Sequence, residues 1–294
     1  MQIQIGFDES TPAPVVNVAS VPQRSPFRYP GGKTWLVPRV RQWLHTLPYK
    51  PSVFLEPFAG GASIALTVAF ENLANEVVLV EKDHQVAAVW KTIIESEDGA
   101  SWLAECIRTF NLTSESLQYV LSSQPKDVRE QAFRTIVQNR TSHGGILAPG
   151  AGAIKNGENG KGIRSRWYPE TLSKRILDIG RIRERISFVE GDGFEAIHKY
   201  SRRTSCVVFV DPPYTASTKK AGSRLYTHHQ VDHDELFHLV SKFKGDALMT
   251  YDDAEEVRAL AVKHRLETRL VAMNNTHHAV LNELLIGRDL AWLK

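Results

Sequence analysis

The stretch VVFVDPPYTAS, Val207 to Ser217, sets an apolar run against an abrupt stop. Val207 to Val210 is β-branched or aromatic throughout, the composition of a strand. Pro212 and Pro213 end it, because neither has an N–H to give to a strand ladder. An acid, Asp211, therefore stands just past a strand end, followed by a stiff dipeptide and the ring of Tyr214. In an open α/β sheet, that is where ligands sit.

The same plan recurs elsewhere in the chain. VFLEPFAGGASIALTVAF begins as a strand at Val53–Glu56, turns at Pro57–Gly61 and continues as an apolar helix from Ala62. EVVLVEKDHQVAAVWKTI gives a strand at Val77–Val80, an acidic turn and a helix that Asp83 is placed to cap. Strand–helix–strand units with short connections predict a parallel α/β sheet with right-handed crossovers. After Ile94 the pattern turns helical, with SESLQYVLSS and DVREQAFRTIVQNR, then becomes Gly-rich from Thr141 to Arg166. That stretch is too long for a routine connection and reads as functional or mobile. YPETLSKRILDIGRIR is a helix with Pro169 in its first turn. Strands ISFVEG, CVVFV, ALMTY and ETRLVA then alternate with helices, and LNELLIG follows. The organisation is a loose tail over 1–24, one α/β domain over 25–95 and 186–294, and an inserted, mainly helical module over 96–185.

Composition narrows the class. The chain has 294 residues, 42% hydrophobic and 23% charged, which suits a globular protein. No apolar run approaches the roughly 18–20 residues of a membrane span. The N-terminus lacks a basic region followed by an apolar core, so no secretory signal is expected, and a cytoplasmic setting is. Cys106 and Cys206 imply no disulfide framework, and nothing around them resembles a metal site. Net charge is +3, but Pro125 to Arg185 carries 13 Lys/Arg and 6 Asp/Glu, an excess of +7 that leaves −4 elsewhere. A local excess of this kind suits a polyanion such as nucleic acid; an ordinary solvated face is the plainer reading.

Four turns at strand ends each carry an acid: Glu56–Gly61, Glu81–Asp83, Asp192–Phe194 and Asp211–Tyr214. Carboxylates would repel a nucleotide phosphate and would suit a cation bearing a ribose and an adenine. Glu81 is placed to accept from ribose hydroxyls. EPFAGG is not the dinucleotide fingerprint, and YPGGKT is not a P-loop, because Phe27 stands where the first glycine belongs. Asp-Pro-Pro-Tyr is the strongest signal. An amine conjugated to a purine is a poor nucleophile. Asp211 and the Pro212 carbonyl can each accept one of its N–H bonds and turn the lone pair toward an electrophile. Tyr214 offers a face on which the base stacks, worth about 1–3 kcal/mol.

On these motifs the chain resembles the Dam-type DNA adenine-N6 methyltransferases. The resemblance rests on FRYPGGK (Phe27–Lys33), FLEPFAGGAS (Phe54–Ser63), VLVEKD (Val78–Asp83), GDGF (Gly191–Phe194), FVDPPY (Phe209–Tyr214) and ELLI (Glu283–Ile286), in the family's order over most of residues 25–290. It implies a Rossmann-like sheet that binds S-adenosylmethionine, with the insert as a target-recognition module for double-stranded DNA. It implies Tyr29 and Lys33 near the cofactor's methionine end and the active site, and Glu56, Phe58 and Gly60 along the methionine moiety. Glu81 would take the ribose, Asp192 and Phe194 the cofactor adenine, and Asp211, with Pro212 and Tyr214, a target adenine flipped from the duplex, with Asp211 also counted among the cofactor-binding residues. Arg134, Arg140, His143, Lys161, Arg164 and Arg166 are the expected DNA contacts. The expected enzyme is a monomer without a metal, in a prokaryotic or phage-infected cell, with a cognate restriction endonuclease as a possible partner.

Two alternatives stay open: an RNA or cytosine-N4 methyltransferase, and a catalytically silent DNA-binding regulator. Asp211 argues against the first, since relatives acting on cytosine more often carry Asn or Ser there; intact Asp211, Tyr214 and Glu81 argue against the second. Family members that methylate GATC carry N-R-x-x-aromatic-N-G-x-x-R, whose last arginine reads a guanine. NRTSHGGILA puts His143 at the aromatic position, Gly144 at the asparagine and Ala148 at the arginine.

Overall fold

In the computed structural model the described residues are 21–28, 31–148, 151–155, 157, 160–213, 231–274 and 280–293. The two most apolar strands lie at the centre. β1 (Val53–Glu56) and β4 (Cys206–Val210) are buried at every position and pair in parallel, Val53 opposite Cys206. β2 (Glu76–Glu81) and then β3 (Ile186–Glu190) extend the sheet from β1, all parallel. β5 (Asp246–Asp252) extends it from β4. β7 (Val280–Gly287) runs antiparallel between β5 and β6 (Glu267–Asn274). The order is β3-β2-β1-β4-β5-β7-β6, seven strands among the described residues.

The parallel sheet predicted from the first units therefore turns antiparallel at its far end. Only residues 275–279 separate β6 from β7. A parallel crossover needs a dozen residues or more, so this connection permits only a hairpin. The topology reverses between β1 and β4, which opens a crevice at their carboxyl ends.

Alternation along each strand feeds two cores. Phe54, Leu79, Val207 and Phe209 face one cluster; Leu55, Val78, Val208 and Val210 face the other. The first is covered by α1 (Val37–Thr46), α2 (Ser63–Phe70) and α3 (His84–Ile94). The second is covered by α8 (Gly193–Tyr200), α9 (His233–Lys242) and α10 (Glu255–Lys263). Sequence reading assigns no element to Val37–Thr46; the helix forms with Pro38 in its first turn, where the missing N–H costs nothing.

The insert contributes α4 (Gly99–Thr109), α5 (Ser114–Ser122), α6 (Val128–Thr141) and α7 (Pro169–Arg181). Thr113 and Ser116 cap α5 reciprocally, and Asp127 caps α6 through the Glu130 N–H. Leu103, Ile136, Leu172 and Ile176 join Trp90 and Ile93 in the first cluster, so the insert thickens one face of the sheet and shares its core. Of the expected 1–24 tail, residues 21–24 are described. Residues 1–20 lie outside the described residues, but Val21 is buried and Arg24 bonds Glu71 and stacks 4.3 Å from the Phe70 ring. No helix among the described residues is long and apolar enough to cross a membrane.

Candidate active site

The acids expected at the strand ends converge along the crevice. Glu56, the last residue of β1, accepts from the Ala65 N–H at 2.9 Å. It is 4% exposed, and burial pushes its carboxyl well above the usual range, with Asp211 adding to the rise and Lys33 opposing it. Glu81 ends β2 and accepts three backbone N–H bonds, from Gly60 at 2.8 Å, Lys82 at 2.9 Å and Asp83 at 2.8 Å. Burial pushes it up to about 7 against the pull of those donors. Glu81 thus ties the EPFAGG turn to the end of β2.

One turn further along the sheet, Asp192 caps α8 by accepting from Phe194 N at 2.8 Å and pairs with Lys82 Nζ at 2.9 Å. The Phe58 and Phe194 rings meet edge to face, 6.2 Å between centroids. That contact explains Gly193: a Cβ there would lie 2.5 Å from the Pro57 carbonyl oxygen and 3.0 Å from the Phe58 ring. Phe58, Gly60, Glu81, Asp192 and Phe194 therefore form one wall.

The second cluster surrounds Lys33, which is 3% exposed. Its Nζ stands 3.0 Å from Asp211 Oδ1, donates to the Gly31 carbonyl at 3.0 Å and lies 3.5 Å from Glu283 Oε2. Thr250 Oγ1 donates to the same Asp211 oxygen at 2.8 Å. The parallel register that pairs Val210 with Met249 brings Asp211 and Thr250 side by side. Thr250 and Glu283 were not legible as site residues, because their roles depend on how β5 and β7 pair with the rest of the sheet. Tyr29 and Tyr214 lie outside the described residues.

The expected DNA contacts divide. His143, Lys161 and Arg164 are exposed or half-buried, and Arg164 Nε also bonds the Leu112 carbonyl at 2.7 Å. Arg166 lines a cleft of about 660 Å³ together with His143, Gly144, Lys155 and Arg28. Arg140, expected among the DNA contacts, lies inside the fold. It is 6% exposed, and its Nε and Nη2 both donate to the Pro26 carbonyl. Burial, with Arg175, Arg28 and Arg166 nearby, lowers it to about 9. A side chain so enclosed fastens the chain to the Pro26 backbone. Arg134 is also spent internally: half-buried, it bonds the Leu121 carbonyl at 2.8 Å and joins α5 to α6. Asn139, fully buried, accepts from Arg28 N at 2.8 Å and donates to the Arg28 and Gly145 carbonyls at 2.9 and 2.7 Å. Gly145 has a φ of +78°, and a Cβ there would come within 2.0 Å of the Arg28 carbonyl oxygen.

Sheet order and acidic crevice agree with the S-adenosylmethionine-dependent methyltransferase that the sequence motifs imply. The donor set fits that cofactor: around Lys33 the carboxyls of Glu56, Asp211 and Glu283 outnumber the one ammonium, which suits a cation, and Glu81 and Asp192 offer acceptors beside two aromatic rings. The family model for D12 class N6 adenine-specific DNA methyltransferases matches residues 29–274, and the chain belongs to that family. The fold is similar to the rRNA methyltransferase AviRa from Streptomyces viridochromogenes, at 13% identity and a TM-score of 0.41 over 88% of this chain and 86% of that one. It is also similar to precorrin-6y C5,15-methyltransferase from Geobacter metallireducens GS-15, at 10% identity and a TM-score of 0.36 over 86% and 85%. No curated protein matches the chain.

Proposed function

We propose that this S-adenosylmethionine-dependent DNA adenine methyltransferase is site-specific and acts on an adenine flipped out of the duplex into the crevice beside Asp211. The observation that carries the reading is the fixed carboxylate: Asp211 Oδ1 is held by Lys33 at 3.0 Å and by Thr250 at 2.8 Å, at the carboxyl end of a fully buried strand. A group so held is preorganised to accept an N–H bond from the exocyclic amine. The Pro212 carbonyl accepts the other, and Tyr214 stacks on the base. Bound in the crevice, S-adenosylmethionine supplies an electrophilic methyl group on a sulfonium. Glu56, Phe58 and Gly60 hold its methionine end, Glu81 its ribose, and Asp192 with Phe194 its adenine, with Tyr29 and Lys33 closing the methionine side.

The 96–185 segment reads the target. Lys161, Arg164 and Arg166 contact phosphates, and His143 enters the duplex side of the cleft, joined by Arg28. Extruding a base from duplex DNA costs a few kcal/mol, which these contacts offset. The chain works as a monomer in a prokaryotic or phage-infected cytoplasm, and a cognate restriction endonuclease is the partner to look for.

Purified protein with labelled S-adenosylmethionine and unmethylated duplex DNA tests this reading. Label in N6-methyladenine, reduced about 100-fold or more in Asp211→Ala, is the expected result. Label in cytosine or in RNA would support the first alternative. DNA binding without any label would support a silent regulator.

A further inference from the structure

Glu283 takes no part in the cofactor and adenine contacts, yet it is only 4% exposed. It lies on β7, so it reaches the crevice from a strand of opposite direction, with Asp252 as its register partner on β5. Its Oε2 is buried without a hydrogen-bond partner among the described residues and faces Lys33 Nζ at 3.5 Å. A buried, under-satisfied carboxyl is costly and requires a reason. The charged groups facing it are Lys33 from the segment before α1, Asp211 from the end of β4 and Asp252 from β5. Glu56, at the end of β1, completes the group through its own interaction with Asp211 and Lys33.

An ammonium has three N–H donors. Among the described residues, Lys33 Nζ stands 3.0 Å from both Asp211 Oδ1 and the Gly31 carbonyl and 3.5 Å from Glu283 Oε2. We propose that Glu283 is a positioning residue for methyl transfer, holding the Lys33 ammonium between β4 and β7 so that Asp211 keeps both its direction and its strength as an acceptor. The inference rests on the reading of Asp211 as the acceptor for the adenine amine. With Glu283 neutral, the ammonium has one full anionic partner fewer and draws closer to Asp211. A carboxylate so neutralised accepts a weaker bond from the amine. The loss falls on the chemical step, because Glu283 touches neither cofactor nor DNA in this arrangement.

This role sets a pH signature. Burial pushes the Glu283 carboxyl up to about 7. Its charged form, the one that holds Lys33, therefore accumulates as pH rises through neutrality. Glu81 also stands near 7, so the profile must be taken at saturating cofactor.

The experiment compares the full-length chain with Glu283→Gln and Glu283→Asp, measuring kcat and both KM values from about pH 6 to about pH 9. Glu283→Gln should lower kcat about ten- to hundredfold, leave the KM values within about twofold, and abolish the limb near neutrality. Glu283→Asp should keep the limb and recover part of kcat. Wild-type kcat with an unchanged limb in Glu283→Gln overturns the inference. If that variant does not fold, Glu283→Asp decides: partial kcat with the limb intact supports it, and full kcat or an abolished limb overturns it. Asp211→Ala in parallel separates the two layers: activity surviving there removes the reading of Asp211, whereas an inactive Asp211→Ala beside an unaffected Glu283→Gln removes only the role of Glu283.

Discussion

Glu81 and Asp192 show how much a single acid can be asked to do. Each is already a structural acceptor, Glu81 for three backbone N–H groups and Asp192 for a helix N-terminus and Lys82. On the proposed assignment their remaining acceptor capacity serves neutral groups of the cofactor, so Glu81→Ala and Asp192→Ala should each weaken S-adenosylmethionine binding by about 1–3 kcal/mol. Calorimetric titration with cofactor alone checks this, with DNA affinity expected to hold steady. Glu283 carries the opposite burden, since its charge works against the fold. An unfolded glutamate titrates near 4.3, whereas Glu283 in the fold stands at about 7. The folded chain therefore holds this proton more tightly, and stability falls as pH rises between those two values, then levels off. Glu283→Gln removes the penalty. Relative to wild type it should gain about 1–3 kcal/mol above neutrality and little near pH 5. Denaturant titration at the two pH values measures the difference; an equal effect at both would show that the fold does not raise the Glu283 carboxyl. A variant more stable yet slower is the usual signature of a group kept for function.

Elements separate what sequence discloses from what it hides. β4 was legible because its five apolar residues stop at two prolines, and the α3 cap was legible because Asp83 sits two residues before the Gln85 N–H it binds. Such signals are local. The antiparallel β7 and the fate of Arg140 are not: one depends on which strand is its neighbour, the other on Pro26 lying 114 residues away in sequence. A charge count treats every arginine of the insert alike, and the fold sorts them into fasteners and exposed cations. That sorting is testable. Affinity for duplex DNA should fall steeply with salt. Replacing Lys161 or Arg166 by Ala should flatten the log–log slope by roughly 0.9 for each phosphate left without its cation. Arg140→Ala should instead lower folding stability by about 1–3 kcal/mol, since it strips a buried carbonyl of its donors, and leave the slope where it was. A slope unchanged in both Lys161→Ala and Arg166→Ala would make the basic excess a solvated face.

Across the molecule, reversal of strand order between β1 and β4 gives each half of the crevice its own acids. Glu56, Glu81 and Asp192 come from β1, β2 and the end of β3; Asp211, Thr250 and Glu283 come from β4, β5 and β7. Besides sharing the first core, the insert meets this plan at a polar seam, where Asn139 and Arg140 bind the backbone of Pro26 and Arg28, a few residues before Lys33. The loop that follows, His143 to Ala148, begins at that seam and borders the cleft. If this loop reads the target as proposed, what it reads follows from its side chains. In relatives with the GATC pattern, the position of Ala148 holds an arginine that reads a guanine. Alanine has no guanidinium to meet O6 and N7, an interaction worth about 1–3 kcal/mol of discrimination. Ala148 is also only 2% exposed, so the backbone there is turned into the protein. The methylated site should therefore differ from GATC. Sequencing methylated adenines in DNA from cells expressing the chain gives the answer directly. Strict GATC modification would sink the claim as stated. If that modification then vanished on replacing Arg164 or Arg166, one of those side chains would be the guanine reader, supplied from the other end of the Gly-rich segment.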